Sequence, residues 1–369
     1  MMTRLMAAQR MAIAVAMIAG CGSSPATTSV SAAGAPTIKT SAALNGAVIV
    51  TLSDPGATIY YTLDGSTPTV NSTQYLAPFL VASNVTVKAI GEVSGEAASP
   101  VASQAFAPNL APGTLVWSDE FSNSTGSNAA PNSATWTYDT GGGGWGNQEL
   151  ETYCSWGSNA SPCSASHPSV YVGTDGYLHI VAQQPANGVY TSARMKSQGL
   201  FSLPYGRIEA RMQLPEGQGL WPAFWLMGNN IATVGWPACG EMDVMEHVNA
   251  PVPDWIAGSV HMPSGSLTLQ FPGVTGQSFS AASGAWHVYG MIWSKGMVQY
   301  YVDSPANVYA SYTPASLTGQ TGAVWPFDSG NSSFVILNLA VGGNFPGSPT
   351  GTATFPAEML VDYVRVYTQ

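Results

Sequence analysis

The chain is 369 residues long, only 8% of them charged, and its net charge is -10. With 40 glycines and 26 prolines, long amphipathic helices laced by salt bridges are excluded in favour of sheets joined by many turns. The acidic balance and the lack of a basic stripe exclude nucleic acid as a partner, whereas 11 tryptophans and 16 tyrosines offer the flat apolar faces that suit a neutral ligand.

Arg4 and Arg10 flank the start of an apolar run, residues 11–18, that leads to Ala19, Gly20 and Cys21. The run is too short to span a bilayer and has the layout of an export signal. Ile18-Ala19-Gly20-Cys21 resembles a bacterial lipobox, in which the cysteine is lipidated and becomes the new N-terminus. An ordinary secretory signal with an incidental cysteine is the other reading. Residues 1–21 are thus expected to be a lipoprotein signal, and 22–35, rich in Ser, Ala, Thr and Gly, a flexible tether. Gly22 is not a retention residue where lipoproteins are sorted by that position, so an outer-membrane or cell-surface location is expected. Membrane contact would then be made only through Cys21.

Residues 36–106 alternate β-branched and small residues, with strands expected at 48–52, 58–63 and 84–90 and turns at Asp54-Pro55-Gly56 and Asp64-Gly65-Ser66. A small sandwich suits this punctuation. Ala57-Thr58-Ile59-Tyr60-Tyr61-Thr62-Leu63-Asp64-Gly65-Ser66-Thr67-Pro68 resembles the immunoglobulin-like module found beside chitobiase-type and other carbohydrate enzymes. It offers no acidic pair that reads as a site, so a spacer is expected, with carbohydrate binding as the alternative. Residues 107–112 read as a linker.

From 113 to 369 further strands are expected at 177–183, 206–213, 241–248, 286–294, 298–302, 334–340 and 359–367. No long helical period intervenes, and one large sandwich is the natural architecture. Cys154 and Cys163 share a loop with Gly157, Asn159 and Pro162, and export favours a local disulfide between them. Cys239 is left over and is expected to be a buried, inert thiol.

Only 20 acidic residues occur in the whole chain, yet three fall in Glu241-Met242-Asp243-Val244-Met245-Glu246. Acids set among apolar neighbours acquire raised or coupled pKa values, which marks function. On a regular strand Glu241 and Asp243 share one face and Glu246 points to the other. One inserted residue near Val244-Met245 would return Glu246 to the shared face, a device seen beside active sites. The outer Cα atoms would then lie ~13 Å apart, from where two glutamates can lean together as a retaining pair. Glu241 would be the nucleophile, Glu246 the acid/base, and Asp243 the residue that orients Glu241. Binding of a hard cation, or simple solvation, is the competing reading of three such acids.

Gly240-Glu241-Met242-Asp243-Val244-Met245-Glu246-His247 is similar to the active-site signature of glycoside hydrolase family 16 in its bulged, laminarinase form. Further similarity runs through Trp117-Ser118-Asp119-Glu120-Phe121, Trp145-Gly146-Asn147-Gln148-Glu149, Thr191-Ser192-Ala193-Arg194-Met195, Gly219-Leu220-Trp221-Pro222-Ala223-Phe224-Trp225 and Leu337-Asn338-Leu339-Ala340-Val341-Gly342-Gly343-Asn344. The resemblance implies an all-β fold, a concanavalin-like β-jelly-roll sandwich preceded by the immunoglobulin-like one, and endo-hydrolysis of β-1,3-glucan by a monomer. Mixed-linkage β-1,3-1,4-glucan and galactans are attacked by other members, and transglycosylation or binding without cleavage are the remaining alternatives. By matching position, Trp221, Trp225 and Trp236 are implied as sugar platforms, and Asn147, Glu149 and Arg194 as polar contacts. His261 is implied in the cleft, with a core histidine as the rival reading. No cofactor is needed for the chemistry, but a structural calcium is implied at Glu120, the backbone of Gly176 and Asp362.

Overall fold

The computed structural model describes residues 34–184, 188–248, 255–271 and 284–369. The expected signal with Cys21 lies outside the described residues, as does the tether up to residue 33.

In the N-terminal module alternate residues turn inward, as period-2 strands require. Val50 and Leu52 of Val48–Ser53 are buried against Ile59, Tyr61, Phe79, Val81, Val87 and Ala89. One sheet runs in the order Thr37–Ala42, Val48–Ser53, Phe79–Val81; the other runs Thr73–Gln74, Thr58–Thr62, Val85–Glu92, Ala102–Phe106. Tyr61 stacks on Phe79 between them at 4.9 Å.

This sandwich does not stand apart from the rest. Ala47 and Leu80 join the main core, in which Trp117 and Phe201 stack at 4.2 Å. The Leu80 N–H donates to the Ser202 carbonyl and the Leu44 N–H to the Val116 carbonyl, each at 2.9 Å. The expected spacer is therefore docked on the second domain.

The second domain is two packed sheets. A seven-stranded sheet runs Gly265–Phe271, Ile256–Met262, Glu241–Glu246, Leu220–Gly228, Ser333–Val341, Arg194–Lys196, Thr137–Asp139. An eight-stranded sheet runs Val170–Val172, Leu178–Ala182, Ala357–Tyr367, Gly206–Gln213, Trp286–Ser294, Met297–Val302, Val308–Tyr312, with Leu115–Asp119 added beside Ala357–Tyr367. Ala357–Tyr367 is central to that sheet. Gly206–Gln213 pairs along one side of it, while Leu178–Ala182 and Leu115–Asp119 share the other. Side chains such as Ile208, Met212, Phe224, Met242, Met291, Trp293 and Leu337 fill the space between the sheets, the hydrophobic burial that holds the layers together. Among the described residues only the four-residue helix Ile231–Val234 and a 3-10 turn at Pro314–Leu317 are helical. The all-β architecture expected from the sequence is the one observed, with strands 206–213 and 286–294 at the expected bounds.

Cys154 and Cys163 form the disulfide. Cys239 is buried and unbridged, and burial followed by the nearby Glu241 carboxylate pushes its thiol up to about 11. A thiol held that high stays protonated at neutral pH and is a poor nucleophile.

Candidate active site

Gly240 opens the acidic strand at φ +79, where a side chain would strain the backbone and its Cβ would meet Pro326 and Phe327 at 3.0 Å. Across the strand Glu241–Glu246, Trp225 pairs with Asp243 but Phe224 pairs with Met245, so Val244 is skipped. On the other side Asp243 opposes Ser259 and Glu246 opposes Ala257, three residues against two. This is the inserted residue that parity demanded. Both Val244 and Met245 are absorbed into the core, together with Met242, and Glu246 returns to the face that carries Glu241 and Asp243.

Neighbouring strands meet that face with polar groups in register. His261 lies opposite Glu241 and Ser259 opposite Asp243, backed in turn by Ser266 and Thr268. His261 Nε2 stands 3.0 Å from Asp243 Oδ2 and 3.9 Å from Glu241 Oε1, while its Nδ1 is 2.7 Å from Ser266 Oγ. The Trp236 indole N–H donates to Glu241 Oε2 at 2.9 Å, and the Trp221 indole N–H to Glu246 Oε1 at 3.2 Å. Thr268 donates to Ser259 Oγ at 3.0 Å, and Ser259 Oγ lies 3.4 Å from Glu246 Oε2.

Burial raises the pKa of all three acids. For Glu241 and Glu246 the Asp243 carboxylate adds to that rise, while His261 and a donated indole hydrogen bond lower it; for Asp243 the hydrogen bond with Glu241 lowers it. Three carboxylates this close and this dry cannot all ionise near neutrality, so they titrate as a unit and at least one holds a proton. One acid ready to donate and one able to attack is the requirement for displacement at an acetal. The cation reading fares worse, because Glu241, Asp243 and His261 converge as two carboxylates and an imidazole, whereas a hard cation takes six or more oxygens. A separate hollow of about 530 Å³, lined by His167, Tyr171, Gln183, Phe355 and Glu358 among others, contains none of Glu241, Asp243 and Glu246.

The chain is similar to known proteins in sequence and in fold. Residues 157–335 match the sequence profile of "Glycosyl hydrolases family 16", and residues 48–106 that of "Fn3 associated". The chain is 37% identical over 260 residues to a "Beta-glucanase" of Rhodothermus marinus, covering 69% of this chain and 84% of that protein. The chain belongs to glycosyl hydrolase family 16. In structure it is similar to the laminarinase catalytic domain of Thermotoga maritima, with a TM-score of 0.59, 35% identity, and cover of 70% of this chain and 99% of that one. It is likewise similar to the endo-β-1,3-glucanase of Pyrococcus furiosus, with a TM-score of 0.57, 39% identity, and cover of 69% and 94%. Against two longer relatives it spans 34% and 38% of their length.

Within this family 16 site the aromatic residues differ in what they leave open. Trp236 is 58% exposed and lies 6.0 Å from the His261 ring. Trp221 meets Phe345 edge-on at 5.4 Å, with Trp255 beyond at 6.1 Å. Trp225 donates to Asn338 Oδ1 at 2.7 Å, and the Arg194 guanidinium sits 4.5 Å from its ring centroid. One face of Trp225 is thus given to a cation. Arg194 is itself held by Asp139 at 3.0 Å.

Glu149, expected as a polar contact, is buried; it accepts from the Tyr153 hydroxyl at 2.9 Å and from Asn147 at 3.2 Å. It supports the wall, and Asn147 is the more accessible of the two. The expected calcium set does not fit a cation here. Arg365 grips Glu120 through two hydrogen bonds of 3.0 and 2.8 Å, and Arg211 takes Asp362 at 2.7 Å. Both carboxylates are already paired with a guanidinium, which opposes a cation at either.

Sequence reasoning passed over Asn338, Ser259 and Glu151. Asn338 stands alone as an amide in the wholly buried strand Ser333–Val341, a signal that a buried polar group has a purpose; it also donates to the Tyr153 hydroxyl at 3.2 Å. Glu151 accepts from the Val341 N–H at 2.7 Å and faces Glu149, and burial followed by that facing carboxyl pushes it up to about 8. A carboxyl raised in the fold favours the folded state below its unfolded pKa of about 4.5 and loses that advantage as pH climbs through the folded value. Glu151→Gln keeps the bond from Val341 and cannot ionise. Relative to the wild type, the variant should therefore gain stability between pH 5 and pH 8, read as the difference in urea midpoints; a difference that shrinks toward pH 8 would contradict the buried-acid account.

Proposed function

We propose that this family 16 hydrolase cleaves internal β-1,3 bonds of β-glucans with retention, through a glycosyl-enzyme on Glu241. The observation that carries the reading is the extra residue at Val244, which sets both glutamates and Asp243 on one face. Ionised Glu241 attacks the anomeric carbon as the glycosidic C–O bond breaks, and Glu246 passes its proton to the departing oxygen. Water then attacks the same carbon, its proton goes to Glu246, and Glu241 leaves as a carboxylate. Asp243 and His261 hold Glu241 and set its charge. Trp236 beside Glu241, and Trp221 with Phe345 beside Glu246, offer rings to sugars on the two sides of the broken bond. The relatives named as β-glucanases support the substrate class.

Product sizing on laminarin, lichenan and agarose tests this. Rapid release of short oligosaccharides from laminarin is expected, with slower attack on lichenan and none on agarose. Preference for lichenan would redirect the reading to mixed-linkage glucan, and elongated products from laminari-oligosaccharides would redirect it to transglycosylation. The proposal extends to a monomeric enzyme exported on a lipid anchor at Cys21. Radiolabelled palmitate should enter the wild type and not Cys21→Ser; equal labelling would refute the anchor.

A further inference from the structure

We infer that the N-terminal module is a positioning element of the active site, reaching Glu241 through Ser202, Ser332, Asn229 and the 229–240 loop that carries Trp236. The module presents three groups at one point of the catalytic domain. The Tyr61 hydroxyl stands beside the Ser332 side chain, the Pro78 carbonyl accepts from Ser202 Oγ at 2.8 Å, and the Leu80 N–H donates to the Ser202 carbonyl at 2.9 Å. Ser202 and Ser332 hydroxyls lie 2.9 Å apart. Ser332 Oγ also accepts from the Asn229 amide at 2.9 Å, so its hydroxyl joins Ser202 to Asn229.

Asn229 is where the loop leaves the Leu220–Gly228 strand, and it is pinned twice more, by its N–H and its amide to the Ser332 carbonyl at 3.0 and 3.1 Å. The loop closes on itself at its other end. Gly228 N–H donates to Gly240 at 3.0 Å, and a Cβ on Gly228 would stand 2.1 Å from the Cys239 carbonyl, so entry and exit share one tight crossing. Between them the loop presents Trp236, whose indole bonds Glu241. Ser202, Ser332 and Asn229 are all buried, and a buried hydrogen-bonded network resists displacement because moving one member leaves another unpaired. Shifting the module's contact therefore shifts the root of the loop.

The inference rests on Glu241 as the ionised nucleophile, whose charge burial and then Asp243 oppose and His261, Trp236 and Arg194 favour. The test uses the full chain with Tyr61→Phe, Ser202→Ala, Trp236→Phe and the Tyr61→Phe/Trp236→Phe pair, assayed for kcat, KM and the acid limb of kcat against pH on laminarin. Losing the indole bond raises the Glu241 pKa, so Trp236→Phe should move the acid limb to higher pH. Tyr61→Phe and Ser202→Ala should move it the same way and lower kcat by roughly 3- to 10-fold, with effects in the pair that do not add. If Trp236→Phe moves the limb while Tyr61→Phe and Ser202→Ala lower only the melting temperature, the coupling is overturned and the module is a structural support. If no variant moves the limb, the coupling falls together with the assigned environment of Glu241.

Discussion

Glu241→Ser should leave a folded protein whose kcat/KM on laminarin is down by roughly 10⁴-fold or more, a barrier increase of ~5 kcal/mol. No other described side chain can take its place at the anomeric carbon. Asp243, the nearest, is tied to His261 at 3.0 Å and is almost wholly buried. The stronger check is stereochemical. In Glu241→Ala, added azide should attack the sugar directly and give a glycosyl azide of inverted configuration, because the first displacement is no longer made by the protein. Full activity in the serine variant would remove Glu241 from the reaction, and an azide product of retained configuration would reassign it.

Glu246→Gln should lower kcat on laminarin by roughly 10²- to 10⁴-fold, the range for loss of a general acid. The loss should nearly vanish in the first step with an aryl glucoside whose leaving group needs no proton, and the glycosyl-enzyme should then accumulate to a mass-detectable level. The pH dependence carries a sign as well. Burial and then the Asp243 carboxylate hold the Glu246 pKa above the usual range, so wild-type activity falls as pH rises through that value and the acid is lost. In the glutamine variant the alkaline fall should disappear while the acid limb, set by ionisation of Glu241, stays. An alkaline limb that persists in Glu246→Gln would assign that limb to another group.

The acidic strand was readable from the sequence because it breaks a rule that can be counted. Glu241 and Glu246 are five apart, an odd spacing, so one residue had to be inserted for both to share a face, and Val244 is that residue. The strands of the small module were readable from Asp54-Pro55-Gly56 and Asp64-Gly65-Ser66, whose turns end them. The role of Asn338 was not, because its partner Trp225 lies 113 positions away and only the sheet order brings them together. Glu149 was placed in the cleft by its motif, yet it faces inward beside Tyr153 while the exposed Leu150 turns out. Glu120 and Asp362 were assigned by position to a cation, and their arginine partners, Arg365 and Arg211, became visible only once the strands Ala357–Tyr367 and Gly206–Gln213 were side by side. The docking of Ala47 and Leu80 against Trp117 and Phe201 depends on the fit of two finished surfaces, which no local pattern encodes.

The placing of Ala357–Tyr367 in the middle of the eight-stranded sheet governs when the enzyme can exist. Its neighbours Leu115–Asp119, Leu178–Ala182 and Gly206–Gln213 leave the ribosome long before it does. Until it arrives, these edges present unpaired backbone groups, the kind of template on which nascent chains aggregate. The catalytic domain is thus a late assembly dominated by distant pairings, and folds slowly for that reason. A nonsense codon a dozen residues upstream of 367 would remove the keystone of the back sheet and spare every catalytic side chain.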